Sequence, residues 1–401
     1  MKAFLKKLIQ PWKAEGGFLA AADCLRVLCV LTVMWYHIWQ QSWLRPAMRI
    51  GTVWLDFEGI VRAGYMAVDL LLMLSGFLLF LPWARCRFFR EKTPSLKEYY
   101  RKRAARILPS YLACIFIVLF CFALPGGEYG SVKHMLTDLC SHLTFTHNLF
   151  PQAYQGTRLN GALWTLAVEV QFYLIAPFLC RAFMKRPGLT YGAMTLIAFL
   201  YRFCFVLPME NASMYVNRLP AMLDAYANGM MGAYVYVFLC RRMKRTSVRA
   251  AAMTLLSVLC LMGIYRLIAG QSMVSGGQPA MHAGQLLRRF PLTALGSLFL
   301  ASASLGLGWA ARLICARPVR WLSMISYNVY IWHAYAAQRL KEWRIPPYSS
   351  DAPNMSAEQP WQIHYTLICF LSALLIGALA TYFIEKPGAR LIAGGKRRSR
   401  A

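Results

Sequence analysis

The sequence predicts an all-α integral membrane protein, a bundle of about ten transmembrane helices with both termini cytoplasmic. Three observations carry that prediction. The 401 residues are 58% hydrophobic and only 15% charged, more apolar than a soluble domain of this length. The apolar residues gather into runs of about 20, enough to cross a bilayer core of ~30 Å. The 44 Lys and Arg outnumber the 16 Asp and Glu, and they concentrate in alternate connections between runs, the pattern that marks the cytoplasmic side.

The runs lie near 22–43, 64–84, 104–124, 161–183, 189–207, 219–239, 248–268, 290–311, 319–338 and 362–384. With the N-terminus inside, about 30 basic residues fall in cytoplasmic segments and about 12 in outer ones, while Arg26 and Arg202 lie within runs. The net charge of +28 would also suit nucleic acid, but charge parcelled between apolar runs sets topology, so the bilayer is the expected partner and nucleic acid is not. Residues 1–21 read as a basic cytoplasmic segment leading into an uncleaved signal-anchor helix. Residues 22–387 form the transmembrane domain and 388–401 a basic cytoplasmic tail. The outer segments near 125–160 and 339–361 suit a rim around an outer opening. Twelve cysteines include no CxxC pair, and Cys114, Cys121, Cys204, Cys260 and Cys369 read as small buried hydrophobes. No metal-ligand spacing is present, and no metal is expected.

Ionisable groups inside apolar runs cost ~3 kcal/mol each on insertion scales, so each one asks for a reason. They are Asp23, Arg26, His37, Asp69, Glu169, Arg202, Asp224, His333 and Glu385. Each serves chemistry or pairs with a partner to lock helices. In the first run, Arg26 and His37 are eleven residues apart, three turns and about 20°, so they share a face ~16 Å apart along the axis. A fixed cation then lies near the cytoplasmic end and a titratable imidazole, the usual general base near neutral pH, further out. In the second run, Asp69 precedes the small pair Ser75-Gly76 and Phe77, which suits close approach of a ligand or of another helix. At the mouth of the third run, Arg103 and Arg106 share a face and could grip phosphates bidentately, or merely set topology. Glu169 lies one turn before Tyr173 in the fourth. In the ninth, Ser326, Tyr330 and His333 form one polar stripe on an apolar helix.

In order along the chain, these segments resemble acyltransferase family 3, membrane enzymes that O-acetylate surface polysaccharides and related acceptors. The resemblance rests on Asp23-x-Leu25-Arg26-x10-His37; Val68-Asp69 with Ser75-Gly76-Phe77-Leu78; and Arg103-x-x-Arg106-Ile107-Leu108-Pro109. It continues in Trp164 to Glu169 with Gln171-Phe172-Tyr173, in Ile325-Ser326-Tyr327 to Tyr330-x-Trp332-His333, and in Glu385-Lys386-Pro387. It implies a transmembrane O-acyltransferase in the plasma or inner membrane, without the esterase-like domain often fused to it. The enzyme would move an acyl group, acetyl by default, from cytoplasmic acetyl-CoA to a hydroxyl of an extracytoplasmic or membrane-associated carbohydrate. By position, the resemblance makes His37 the catalytic histidine, with Arg26 as its partner and Glu169 beside the acceptor. It assigns Arg103, Arg106, Ser75, Gly76 and Phe77 to the CoA donor, and leaves Asp69, Tyr173, Ser326, Tyr330 and His333 as acceptor or supporting groups. The chain departs from the family pattern at Glu169-Val170, where two acids often stand together, and after His333, where a proline is common. The competing class is a transporter of an anionic or lipid-linked solute, with the same residues lining its cavity.

Overall fold

The computed structural model describes residues 19–244, 246–314 and 316–394, so most of the basic N-terminal segment and residues 395–401 of the tail lie outside the described residues. Ten long helices occupy the ten apolar runs: α1 (Ala20–Ser42), α2 (Ala67–Phe89), α3 (Leu96–Val118), α5 (Trp164–Lys185), α6 (Pro187–Leu200), α7 (Leu219–Arg242), α8 (Ser247–Ser272), α9 (Gly277–Ala303), α11 (Arg317–Glu342) and α12 (Trp361–Ala380). Shorter helices are α4 (Val132–Leu143), α10 (Gly308–Ile314) and α13 (Lys386–Ala393). Seven of the long helices are apolar enough to cross a membrane, so the chain is a multi-pass, all-α membrane protein. The other three, α7, α9 and α11, carry buried polar groups such as Asp224, Arg289 and Asn328, which lower their hydropathy without shortening them.

Local chemistry sets several boundaries. Ser95 caps α3 by accepting from Glu98 N at 3.2 Å, and Ser131 caps α4 by accepting from His134 N at 3.2 Å, each satisfying one orphan donor of a first turn. Pro187 opens α6, where its missing N–H is not needed. Gly394 closes α13 at φ +75°, a left-handed position that favours glycine.

Two compact units divide the chain. The first comprises the described residues up to Tyr36, Pro46–Thr93 and Phe178–Ser323; the second comprises His37–Arg45, Pro94–Pro177 and the described residues from Met324 onward. In the first, α2 and α7 cross at very close range. A Cβ on Gly76 would come 2.5 Å from Tyr226 O, and one on Gly229 would collide with Met73 O. Only glycine fits at either position, which is how small residues let helices approach without a hydrophobic driving force in lipid. In the second unit, Gly377 does the same for α12 against α11, with Val329 Cγ2 2.5 Å from a Cβ placed there.

The structure adds elements the periodicity did not show. A two-stranded antiparallel hairpin, Ala47–Ile50 with Val53–Asp56, follows α1, and helix α4 lies within the segment expected to form only a rim. The eighth run begins earlier than its apolar stretch, because α9 starts at Gly277 and carries Arg289, fully buried, into the interior. Cysteine placement also needs correction: Cys114, Cys260 and Cys369 are buried, but Cys121 and Cys204 are exposed on helix surfaces.

Candidate active site

The polar stripe of α11 is buried. Ser326 is 3% exposed, Tyr330 8% and His333 1%. His333 Nδ1 lies 2.7 Å from Tyr330 O and 3.2 Å from Val329 O. A carbonyl can only accept, so Nδ1 carries the proton and the lone pair of His333 is at Nε2. That Nε2 is buried and has no hydrogen-bond partner among the described residues. His37 lies beside it, with ring centroids 5.2 Å apart and planes at 49°. His37 Nδ1 donates to Gln40 Oε1 at 3.0 Å, so its lone pair is also at Nε2. His37 itself is half-buried. Tyr330 completes the group, its ring centroid 5.5 Å from that of His333.

The arginines of α3 differ in their surroundings. Arg106 donates to Glu385 Oε1 and lies 5.0 Å from the centroid of the Tyr327 ring. Asn328 Nδ2 donates to Glu385 Oε2 at 2.6 Å and to Thr381 Oγ1 at 2.9 Å. Glu385 is offered by a π-helical turn, Thr381–Glu385, which ends α12; such turns recur at functional sites. Arg103 has no ion pair among the described residues. Its guanidinium lies 5.6 Å from the Tyr173 ring centroid and 6.0 Å from that of Tyr99, and its Nε is buried without a hydrogen-bond partner among them. Tyr173 OH donates in turn to Glu169 Oε1. The second unit thus brings together two groups: His37, His333 and Tyr330, and Arg103, Tyr173 and Glu169. On α11, Tyr327 and His333 are six residues apart, ~9 Å along the axis.

The remaining candidates belong to the first unit. Arg26 Nη1 lies 3.1 Å from Asp23 Oδ1 and 3.2 Å from Ser323 Oγ, and Ser323 Oγ donates to Asp23 Oδ1 at 2.7 Å. Arg26 and His37 lie on one unbroken helix, with this triad at one end. Asp69 pairs with Arg289 at 3.0 Å, both fully buried. Arg289 also donates to Val216 O at 2.9 Å and Ala221 O at 3.2 Å. Arg202 and Asp224 form a second buried pair. Gly76 is spent on the α2–α7 crossing, and Phe77 is buried beside it with its ring centroid 6.1 Å from that of Tyr236. Ser75 is partly exposed.

A further cluster lies outside the spans. Asp138 on α4 sits 3.1 Å from His142 Nδ1. Its other oxygen accepts from Tyr129 OH at 2.9 Å, Thr157 Oγ1 at 3.1 Å and Arg158 N at 2.9 Å. His147 stacks on His142, centroids 3.9 Å apart. Burial alone would raise the Asp138 carboxyl, but the His142 hydrogen bond and charge, with the Arg158 N–H and Tyr129 hydroxyl, outweigh it and hold it low. Burial, with His142 adding to it, pushes His147 down to about 3. Gln171 Nε2 ties the segment to α5, donating to Phe145 O and Asn148 Oδ1 at 2.9 Å each. The four-residue spacing of Asp138 and His142 is the sequence signal that could have found this cluster.

A family model described as an acyltransferase domain, that of acyltransferase family 3, matches residues 19–383. The chain is 23% identical over 394 residues to the peptidoglycan O-acetyltransferase OatA of Listeria monocytogenes, a match covering 92% of this chain and 56% of that protein. It is 23% identical over 414 residues to the putative peptidoglycan O-acetyltransferase YrhL of Bacillus subtilis, covering 92% and 55%. It is 27% identical over 180 residues to Nodulation protein 10 of Rhizobium leguminosarum bv. viciae, covering 41% and 46%. The chain spans little more than half the length of the first two relatives. No solved structure matches.

Proposed function

The chain belongs to acyltransferase family 3, and from that membership we propose that it is a membrane O-acyltransferase that moves an acetyl group from acetyl-CoA to a hydroxyl of a cell-envelope carbohydrate. The observation that carries the proposal is the pair His37 and His333 inside the membrane domain, 5.2 Å apart. Two imidazoles at bilayer depth need a reason, and Nδ1 donation to Gln40 puts the lone pair of His37, the general-base atom, at Nε2.

In the proposed reaction, the acceptor hydroxyl gives its proton to His37 Nε2 while its oxygen attacks the thioester carbonyl carbon. The C–S bond breaks, and the departing CoA thiolate takes the proton from His37. Both partners then leave neutral at the reacting atoms, and no covalent enzyme intermediate is required. Arg103, without an ion pair among the described residues, is the group that binds the donor phosphates. Arg106 shapes that mouth through Glu385 and Tyr327. Glu169 and Tyr173 hold the Arg103 end of the site. Arg26 positions the cytoplasmic end of the helix that bears His37, through Asp23 and Ser323. The excess of Lys and Arg in alternate connections supports a cytoplasmic donor and an outer acceptor. The peptidoglycan O-acetyltransferases among the relatives support a carbohydrate of the wall as that acceptor.

The test is transfer by purified protein in detergent or proteoliposomes supplied with radiolabelled acetyl-CoA and a peptidoglycan fragment. Label in the fragment, dependent on His37, supports the proposal. Binding of CoA without transfer, or flux of an intact solute in its place, rejects it in favour of a transporter.

A further inference from the structure

The hairpin that follows α1 has two faces of different chemistry. Side chains alternate across a strand, and the register pairs Met48 with Leu55, Arg49 with Trp54 and Ile50 with Val53. One face therefore carries Met48, Ile50, Val53 and Leu55, and the other carries Arg49 and Trp54. The four apolar side chains are between 38% and 57% exposed, so the described residues leave that face largely open. A two-stranded hairpin is marginal in water on its own, and a contiguous apolar face left open marks a contact. The base of the hairpin fixes its depth. Phe57 N donates to Pro46 O at 2.8 Å and closes the base, and the Phe57 ring centroid lies 5.4 Å from that of Trp35 on α1. Gly59 follows, and a Cβ placed on it would lie 3.3 Å from Ala269 Cβ, near the end of α8. The 23 residues of α1 span ~34 Å, against a hydrocarbon core of ~30 Å. Trp35 lies seven residues, ~10 Å, before the end of that helix. A strand of four residues is ~13 Å long, so the hairpin ends within a few ångströms of the level of that end even if it points straight along α1. The interfacial layer beyond the hydrocarbon core is ~5–7 Å thick on each side. The hairpin therefore stays within the membrane or its interface, whichever way it points.

We propose that this hairpin is an interfacial anchor whose Met48, Ile50, Val53 and Leu55 face binds the acyl region of bilayer lipids, in the leaflet at the C-terminal end of α1. The occupant is lipid because the two helices that hold the hairpin, α1 and α8, are themselves long and apolar enough to cross a membrane, so its open face lies where their lipid-facing surface ends. Arg49 and Trp54, on the other face, are residue types of the headgroup layer, where a guanidinium meets phosphate and an indole sits at the boundary. Arg49 Nε donates to Gly51 O at 3.0 Å, which holds that side chain at the loop. The anchor fixes the depth of the Trp35 turn of α1, independently of the acyl-transfer chemistry.

The experiment oxidises the full-length protein with the water-soluble oxidant chloramine-T, in lipid nanodiscs of phosphatidylethanolamine and phosphatidylglycerol that hold one copy each. A disc leaves both membrane faces accessible, and a single copy excludes cover by a second chain. Methionine sulfoxide at each position is read by mass spectrometry of peptides, with N-acetylmethionine amide in the same suspension as the reference for full exposure. Met48 of the wild-type protein is expected to oxidise at least fivefold more slowly than the reference, although 51% of it is open in the protein itself. Ile50→Met, on the same face, should be protected to the same degree, and Arg49→Met, on the other face, should oxidise at least fivefold faster than either. A smaller slowing at Met48 overturns the inference, whether or not either variant folds. So does equal protection at positions 49 and 50. So does protection of Met48 that appears only in discs holding two or more copies, which identifies a second chain as the occupant.

Discussion

His37 and His333 lie with ring centroids 5.2 Å apart and planes tilted at 49°, and each has its Nδ1 proton committed to a neighbouring oxygen, Gln40 Oε1 for His37 and Tyr330 O for His333. Two residues 296 positions apart in the chain therefore carry their imidazole lone pairs at Nε2 within one unit. The half-buried member is the proposed base.

The two arginines of the Arg103-x-x-Arg106 motif should separate by phenotype. Arg103→Ala should raise the KM for acetyl-CoA about tenfold or more with protein yield unchanged, because among the described residues its guanidinium has ring contacts and no ion pair to lose. Arg106→Ala leaves the Glu385 carboxylate, 8% exposed, without its cation and should cost about 1–3 kcal/mol, read as a lower midpoint of thermal unfolding in detergent. Equal donor KM values for wild-type protein and Arg103→Ala would remove Arg103 from donor binding.

Asp69 should prove to be half of a lock. Breaking a fully buried pair by removing one partner costs about 3–5 kcal/mol, whereas replacing both with apolar residues of similar volume is often neutral. Asp69→Asn alone should therefore lower the yield of folded protein, and Asp69→Leu with Arg289→Met should recover it. Activity in the double variant would show that Asp69 serves the fold and not the reaction.

Gly76→Ala should destabilise by about 1–3 kcal/mol, since the added Cβ would meet Tyr226 O at 2.5 Å. The loss should appear in unfolding midpoint and expression before it appears in donor affinity. A stable Gly76→Ala protein with a raised donor KM would instead return this segment to the donor path.

The Asp138–His142–His147 cluster should make its segment sensitive to acid. His147 is held down to about 3 from 6.5, so the unfolded chain binds its proton more readily. The stability it contributes is complete above about 6.5 and is lost as pH falls toward 3. Asp138, held below its ordinary value, adds stability that is lost at lower pH still, which is the same sign. The slope is at most ~1.4 kcal/mol per pH unit for each proton. Protease cleavage within residues 131–160 should rise as pH falls from 6.5 to 4, and a His147→Phe variant should flatten that rise.

The sequence made the helices legible because a 20-residue apolar run has few other uses, and it made the Ser326, Tyr330 and His333 stripe legible because helical period alone puts those residues on one face. It could not show what each charge meets. Asp69 and Arg289 are 220 residues apart, and their pairing depends on α2 and α9 packing together, which no local pattern encodes. The apolar run near 290–311 begins after Arg289, although the helix begins at Gly277 and carries Arg289 inside it. The hairpin after α1 was invisible for a different reason: its strands are four residues each and mostly exposed, so they show no alternation of burial. The motif order carried the family, but it did not distinguish Arg106, tied to Glu385, from Arg103, which has no ion pair among the described residues.

Acetyl transfer to an envelope carbohydrate, as proposed, depends on His37. It is tested most directly by mass spectrometry of envelope glycans from cells making either the wild-type chain or His37→Ala at matched membrane levels. The expected result is an acetyl-bearing glycan with the wild-type chain and its loss, by two orders of magnitude or more, with His37→Ala. An unchanged acetylated glycan in cells making a folded, membrane-inserted His37→Ala chain would contradict it.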